Sequence, residues 1–344
     1  MLWVIDVETV SFWRSNTRAS DAKYFGLHLQ MTELNYNDDN FVSIQAADAH
    51  YTGLASSDDV TLAMYTLPSA SATAPALIWG HANGFSAGSY LPFLQGLSSK
   101  FRVFAYDVRG HGGSTRPAQP LSDTLTFDSF AFDLRIVTNA VRAQLGEPAL
   151  YFAGHSFSAA AMFHLGGQHG YAPWAAVTTF DATMLPCDVP SVKAEAQAGT
   201  AERIARTLGR RDRWASIDDC VATLGRPGVF DNWHPALLRA HCEATLRPLA
   251  DGGYGLACAP DIEAGVYAGV MDTRPYAGLP KFSAPALLVA ADRHAKGTWV
   301  ADVQARASER LANAETTTLA GCGHLMVFEQ PALCAQLVMS MLES

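Results

Sequence analysis

Residues 149–165 read Ala-Leu-Tyr-Phe-Ala-Gly-His-Ser-Phe-Ser-Ala-Ala-Ala-Met-Phe-His-Leu. An apolar run with the character of a strand meets a run with the character of a helix, and the junction is Gly154-His155-Ser156-Phe157-Ser158. Such a passage predicts a sharp strand-to-helix turn. A serine at that corner has its hydroxyl lifted clear of the sheet, and the backbone N–H of the next residue, Phe157, points at a developing oxyanion. Small residues flank the corner because its strained backbone leaves no room for branched side chains. The usual spacing is Gly-x-Ser-x-Gly, and Ser158 stands where the last glycine is expected. Serine fits by size but gives up glycine's backbone freedom. On its own the corner is also compatible with an ordinary turn.

Working outward, short β-rich runs recur at Phe41–Ala46, Val60–Leu67, Ala76–Trp79, Phe101–Tyr106, Ala175–Phe180, Ala286–Ala290 and Glu315–Leu319. Several are continuous apolar runs bounded by Pro and Gly, as expected of strands covered on both faces. Phe127–Leu145 has helical spacing and stops at Gly146 and Pro148, and Ala332–Leu342 reads as a closing helix. Alternating strands and helices specify an α/β fold, a mostly parallel sheet with helices on both faces. The first two strands are joined by too little chain for a crossover and are expected to be antiparallel. From 186 to 280 the alternation stops. That block shows no convincing strand, and its helical candidates are Val192–Leu208, Ile217–Leu224, Pro235–Leu246 and Asp261–Val270. Arg203, Arg206, Arg210, Arg211 and Arg213 make it locally basic, which reads as a solvated helix face paired with nearby acids.

Two further segments bear on chemistry. His81-Ala82-Asn83-Gly84-Phe85 follows the strand run ALIWG, where a glycine-containing loop can set a second backbone N–H beside the nucleophile. Gly321-Cys322-Gly323-His324 follows the last strand, and a histidine held between glycines in such a loop can reach over the sheet edge towards the serine.

With these residues in view, the chain resembles the α/β-hydrolase superfamily, specifically its serine esterases and lipases. The resemblance rests on HANGF at 81–85, YDVRGHGGS at 106–114, GHSFS at 154–158, LLVAAD at 287–292 and GCGH at 321–324. It implies an α/β-hydrolase fold over 41–185 and 281–344, with 186–280 as an inserted helical cap. It implies Ser156 as nucleophile, His324 as general base, and the amides of Asn83 and Phe157 as oxyanion hole, although Ala82 stands where the family usually has glycine. The family's usual position for the acid lands on Asp292. A rarer position, one strand earlier, lands on Asp181, and chain order does not separate the two. Asp107, Arg109 and His111 fall in what is a structural turn of the family. His155 is expected at the elbow, and Trp214 and Trp233 in the cap, where they wall an acyl pocket or hold cap helices together.

Composition narrows the alternatives. The chain has 344 residues, 24 Lys+Arg against 33 Asp+Glu, and a net charge of −9. It lacks the basic footprint of a nucleic-acid binder, and no apolar run is long enough to span a bilayer. Asp6 and Glu8 interrupt the first apolar residues and no basic segment precedes them, which argues against a secretory leader and for a cytoplasmic protein. The six cysteines form no CxxC pair and read as reduced thiols, a bridge between 187 and 258 being the alternative. Residues 1–40 have no sustained period and suggest a loosely docked extension, with Met31 as an alternative start of the compact protein. The expected activity is cleavage of a small-molecule carboxylic ester with neither metal nor organic cofactor. A C–C bond hydrolase or perhydrolase with the same triad, and a receptor-like ligand-binding relative, stay open.

Overall fold

In the computed structural model, the described residues are 49–228, 230–292 and 300–343. The N-terminal extension expected over 1–40 and the strand expected at Phe41–Ala46 lie outside them. The main sheet begins with β1 (His50–Ala55), β2 (Thr61–Thr66), β3 (Ala76–Gly80), β4 (Arg102–Tyr106), β5 (Leu150–His155) and β6 (Ala176–Phe180). The block that follows contains β7 (Arg213–Trp214), β8 (Leu246–Pro248) and β9 (Tyr254–Leu256), and the main sheet resumes with β10 (Ala286–Ala291) and β11 (Ala314–Leu319). The eight main strands lie in the order β1-β2-β4-β3-β5-β6-β10-β11. β2 is antiparallel to β1 and β4, and the rest run parallel.

Strand β3 shows why the sheet is doubly covered. All five of its residues are buried, and they alternate between two cores. Ile78 packs with Phe104, Phe152, Phe130 and Phe163 on one face. Leu77 and Trp79 pack with Phe93, Val103, Leu287 and Val338 on the other. The helix Phe127–Leu145 forms as its spacing predicts: Thr126 caps it by accepting from the Ser129 N–H, and Gly146 ends it in the left-handed conformation. The closing helix spans Pro331–Met339 and tightens into a 3-10 turn at Ser340–Glu343.

Two features were not expected. Among the described residues, the strand that precedes Thr61–Thr66 and pairs antiparallel with it, at one edge of the sheet, is His50–Ala55. Its outer side chains are largely exposed, so it carries no apolar run. The 186–280 block is also not purely helical, because β7, β9 and β8 form a small antiparallel sheet. At two or three residues each, these strands are too short to show a period. The helices of the block are Pro190–Leu208, Ile217–Leu224, Pro235–Thr245, Pro260–Gly269 and Arg274–Gly278. Of the five arginines named above, three are paired, Arg210 with Glu263, Arg211 with Asp219 and Arg213 with Asp251, while Arg203 lies over the Tyr267 ring.

Candidate active site

The site is assembled at the carboxyl ends of the parallel strands, where an open α/β sheet presents its loops. In the β5–β6 ladder His155 faces Phe180, so the next residues, Ser156 and Asp181, leave the sheet at the same level. Both have positive φ, 61° for Ser156 and 48° for Asp181, a sparsely populated region for residues with a Cβ. Surrounding hydrogen bonds hold them there: Ser156 N–H donates to Phe180 O at 2.9 Å, Asp181 N–H to Val289 O at 2.8 Å, and Thr183 N–H to Ser156 O at 3.3 Å. The helix Phe157–His169 starts immediately after the serine. From the far side the loop after β11 brings in His324. It begins at Gly321, whose φ of +70° suits glycine.

Ser156 Oγ lies 3.1 Å from His324 Nε2, and His324 Nδ1 lies 2.6 Å from Asp181 Oδ2. The carboxylate is fully buried and Ser156 nearly so. A carboxylate accepts only, so the neutral imidazole carries its proton on Nδ1 and turns the Nε2 lone pair towards the serine hydroxyl. Thr183 Oγ1, 3.2 Å from Ser156 Oγ, is a neighbour the sequence reading missed. Its signal was its place two residues beyond a strand-end aspartate.

The structure does not bring Asp292 to His324. Asp292 is exposed, and its Oδ2 accepts the Gly321 N–H at 2.7 Å. It anchors the root of the histidine loop, while the carboxylate facing the imidazole comes from β6, the strand next to β5. The expectation of Asp292 in that place is therefore corrected to Asp181.

The loop after β3 lies beside the serine. Among the described residues the backbone amides of Asn83 and Phe157 have no hydrogen-bond partner. The Asn83 side chain is taken up, its Nδ2 donating to Glu263 O at 3.0 Å. Gly84, at φ +78°, lies so close to the Glu263 carboxyl that a Cβ would sit 3.0 Å from it. Burial raises the Glu263 carboxyl, and Arg210 opposes that. Ser158, the departure from the glycine pattern, donates from Oγ to His81 O at 2.5 Å and ties the elbow to this loop. His111 also supports the loop: its Nδ1–H donates to Arg109 O and its Nε2 accepts the Gly84 N–H at 3.2 Å. Asp107 accepts from Ala87 N–H, Gly113 N–H and the Tyr65 hydroxyl. Arg109 makes a bidentate pair with Asp133 and reaches Asp58. These three residues are tied up in structural contacts.

The expected pocket residues lie elsewhere. His155 is fully buried and bonded at both ring nitrogens. Trp214 packs with Cys220, Cys242 and Leu246 inside the block. Trp233 stacks on Phe328 at 4.1 Å and packs beside Phe85 and Phe230, sealing the block against the core. A cavity of about 380 Å³ among Asp212, Arg213, Asp251 and Pro260 contains none of Ser156, His324 and Asp181. None of the six cysteines, all among the described residues, is in a disulfide. Asp128, His164 and His169 are the one group among the described residues with metal-like spacing. Arg274 already occupies the other oxygen of Asp128, so the group reads as an ion-pair cluster.

A serine at a strained strand-to-helix corner, backed by a histidine and a buried carboxylate supplied in the order Ser–Asp–His, is an arrangement shared by one broad class of hydrolases. The chain belongs to the alpha/beta hydrolase family, whose model matches residues 77–337. No curated protein matches the sequence. Among solved structures it is similar to E-2-(acetamidomethylene)succinate hydrolase, with TM-score 0.67 and 17% identity over 86% of this chain and 100% of that one. It is also similar to a thermophilic esterase from Thermogutta terrifontis, solved with malate bound (TM-score 0.59, 17% identity, 86% and 98% covered). A third is the enol-lactonase from Burkholderia xenovorans LB400 (TM-score 0.59, 17% identity, 86% and 100% covered). At these identities the likeness concerns the fold. No helix among the described residues is long and apolar enough to cross a membrane.

Proposed function

We propose that the protein is a serine hydrolase that cleaves a small-molecule carboxylic ester through an acyl-enzyme on Ser156. The observation that carries this reading is the continuous contact from Ser156 Oγ through His324 to the buried Asp181 carboxylate. As Oγ attacks the ester carbonyl, His324 Nε2 takes its proton, and Asp181 holds the tautomer and stabilises the imidazolium. The tetrahedral oxyanion is received by the unpartnered amides of Asn83 and Phe157, each such donor being worth roughly 3–4 kcal/mol. The protonated His324 then delivers its proton to the leaving alcohol. Water enters, gives a proton to the same base and releases the acid.

A serine nucleophile favours acyl transfer over the chemistry of aspartate-nucleophile relatives. Cysteines outside any disulfide and the −9 charge suit a cytoplasmic enzyme acting on small molecules. The test is a panel of p-nitrophenyl esters of increasing chain length, amides and lactones, with wild type and Ser156→Ala. Ester turnover with a burst, lost in Ser156→Ala, is expected. Undiminished turnover in Ser156→Ala, or binding without turnover in wild type, would sink the reading. Preference for a vinylogous diketone over every ester would reassign the same triad to C–C cleavage.

A further inference from the structure

Beside the serine, two fully buried side chains outside the triad form a continuous hydrogen-bond chain. Ala82 N–H lies 3.2 Å from Tyr90 Oη, Tyr90 Oη lies 2.8 Å from His155 Nδ1, and His155 Nε2 lies 2.7 Å from the backbone oxygen of His324. The direction of every bond is determined. A carbonyl only accepts, so His155 carries its proton on Nε2. The neutral ring then accepts at Nδ1, Tyr90 must donate there, and the phenol oxygen is left to accept the Ala82 N–H. Burial, and after it the neighbouring His324, push the His155 pKa down to about 3, which keeps the ring neutral at working pH.

The chain joins three loops that leave three different strands. Ala82 precedes Asn83 in the loop after β3, His155 precedes Ser156 at the end of β5, and His324 sits in the loop after β11. The β3–β5 pairing sets the first two side by side, with Gly80 opposite Gly154, but β11 lies three strands away from β5, so the ladder does not by itself set the His324 loop against them. The Tyr90 ring is clamped against Trp79 and Phe328, with centroids 5.0 and 4.7 Å away. The His155 and His324 rings are 4.9 Å apart.

We propose that Tyr90 and His155 are positioning residues: their chain helps to fix the separation of the oxyanion loop, the nucleophile and the base, and so acts on both acylation and deacylation, which use the same amides and the same base. The inference rests on the reading of Ser156, His324 and Asp181 as the catalytic set. It differs from a packing role because Tyr90→Phe keeps the ring and removes only the bond, and because His155→Gln still offers an acceptor and a donor.

The experiment measures kcat and KM for p-nitrophenyl acetate, normalised to sites titrated by the burst, and the rate at which a fluorophosphonate labels Ser156. Tyr90→Phe is expected to lower kcat and the labelling rate about tenfold with KM within about twofold. His155→Ala is expected to lose about 100-fold, the cost of a misplaced reacting group, and His155→Gln to recover most of it. A folded Tyr90→Phe protein with wild-type kcat and labelling overturns the proposal. So does a change confined to KM or to melting temperature. If His155→Ala is insoluble, Tyr90→Phe decides. Wild type that neither turns over esters nor takes the label overturns the catalytic reading itself, whereas active wild type with indifferent variants overturns only the positioning role.

Discussion

Replacing Asp181 and Asp292 separately by asparagine distinguishes two carboxylates that both precede His324 in the chain. Asp181 is buried, with Oδ2 at 2.6 Å from His324 Nδ1 and Oδ1 facing the Ala291 N–H at 3.5 Å. In Asp181→Asn the Ala291 amide holds the side-chain oxygen on its own side, so the NH₂ group meets His324. The imidazole must then place its proton on Nε2, where it can no longer accept from Ser156. In a triad of this geometry the wrong tautomer lowers kcat by about 10⁴, equivalent to about 5 kcal/mol of transition-state stabilisation. Asp292→Asn keeps an oxygen for the Gly321 N–H, and only a charge-assisted bond at an exposed position becomes a neutral one. That change is worth less than about 1 kcal/mol, and kcat is expected to stay within about threefold. The assay is p-nitrophenyl ester hydrolysis, with sites counted by the burst and circular dichroism to show that both variants fold. The reasoning is refuted if Asp292→Asn abolishes turnover while Asp181→Asn stays within tenfold of wild type.

Two further outcomes follow from groups beneath the site. Burial lowers His81 to about 4 and His111, His155 and His241 to about 3. An unfolded histidine titrates near 6.5, so below that pH the unfolded chain binds protons that the native state refuses, and stability falls with pH. Between pH 7 and pH 5.5 each contributes a loss of about 1 kcal/mol, about 4–5 kcal/mol together. Urea midpoints should drop steeply over that interval, and a flat profile contradicts the neutral assignments. Arg109 and Asp133 are both fully buried. Asp133→Ala strands the guanidinium with only the half-exposed Asp58, and is expected to cost about 3–5 kcal/mol in urea unfolding. A loss under about 1 kcal/mol contradicts the reading of Asp133 as the charge that compensates a buried guanidinium.

The elbow was legible because its signal is local: an apolar strand, small residues and a helix within about seventeen positions. The closing loop was legible because a histidine between glycines after the last strand has few structural reasons to be there. The carboxylate that faces the imidazole was not. Asp181 and Asp292 each directly follow an apolar strand, and only the strand order decides which of them faces the imidazole. Trp214 and Trp233 look alike as aromatic residues of the 186–280 block, yet one fills a small core within the block and the other seals a seam. The strand His50–Ala55 was not foreseen because it has too few buried side chains to produce a pattern. Tyr90 carries no sequence signal at all, since its partners lie 8 and 65 residues away.

The position of Asp181 has a consequence for recombining such proteins. The 186–280 block leaves the sheet from the end of β6, so the residues at its root, Asp181 and Thr183, already touch His324 and Ser156. Were the acid on the strand after the block, the whole stretch between β6 and β10 would be an exchangeable cassette. Here the upstream splice point has to fall beyond Thr183. A graft joined at Phe180 would carry away Asp181, the carboxylate that faces His324.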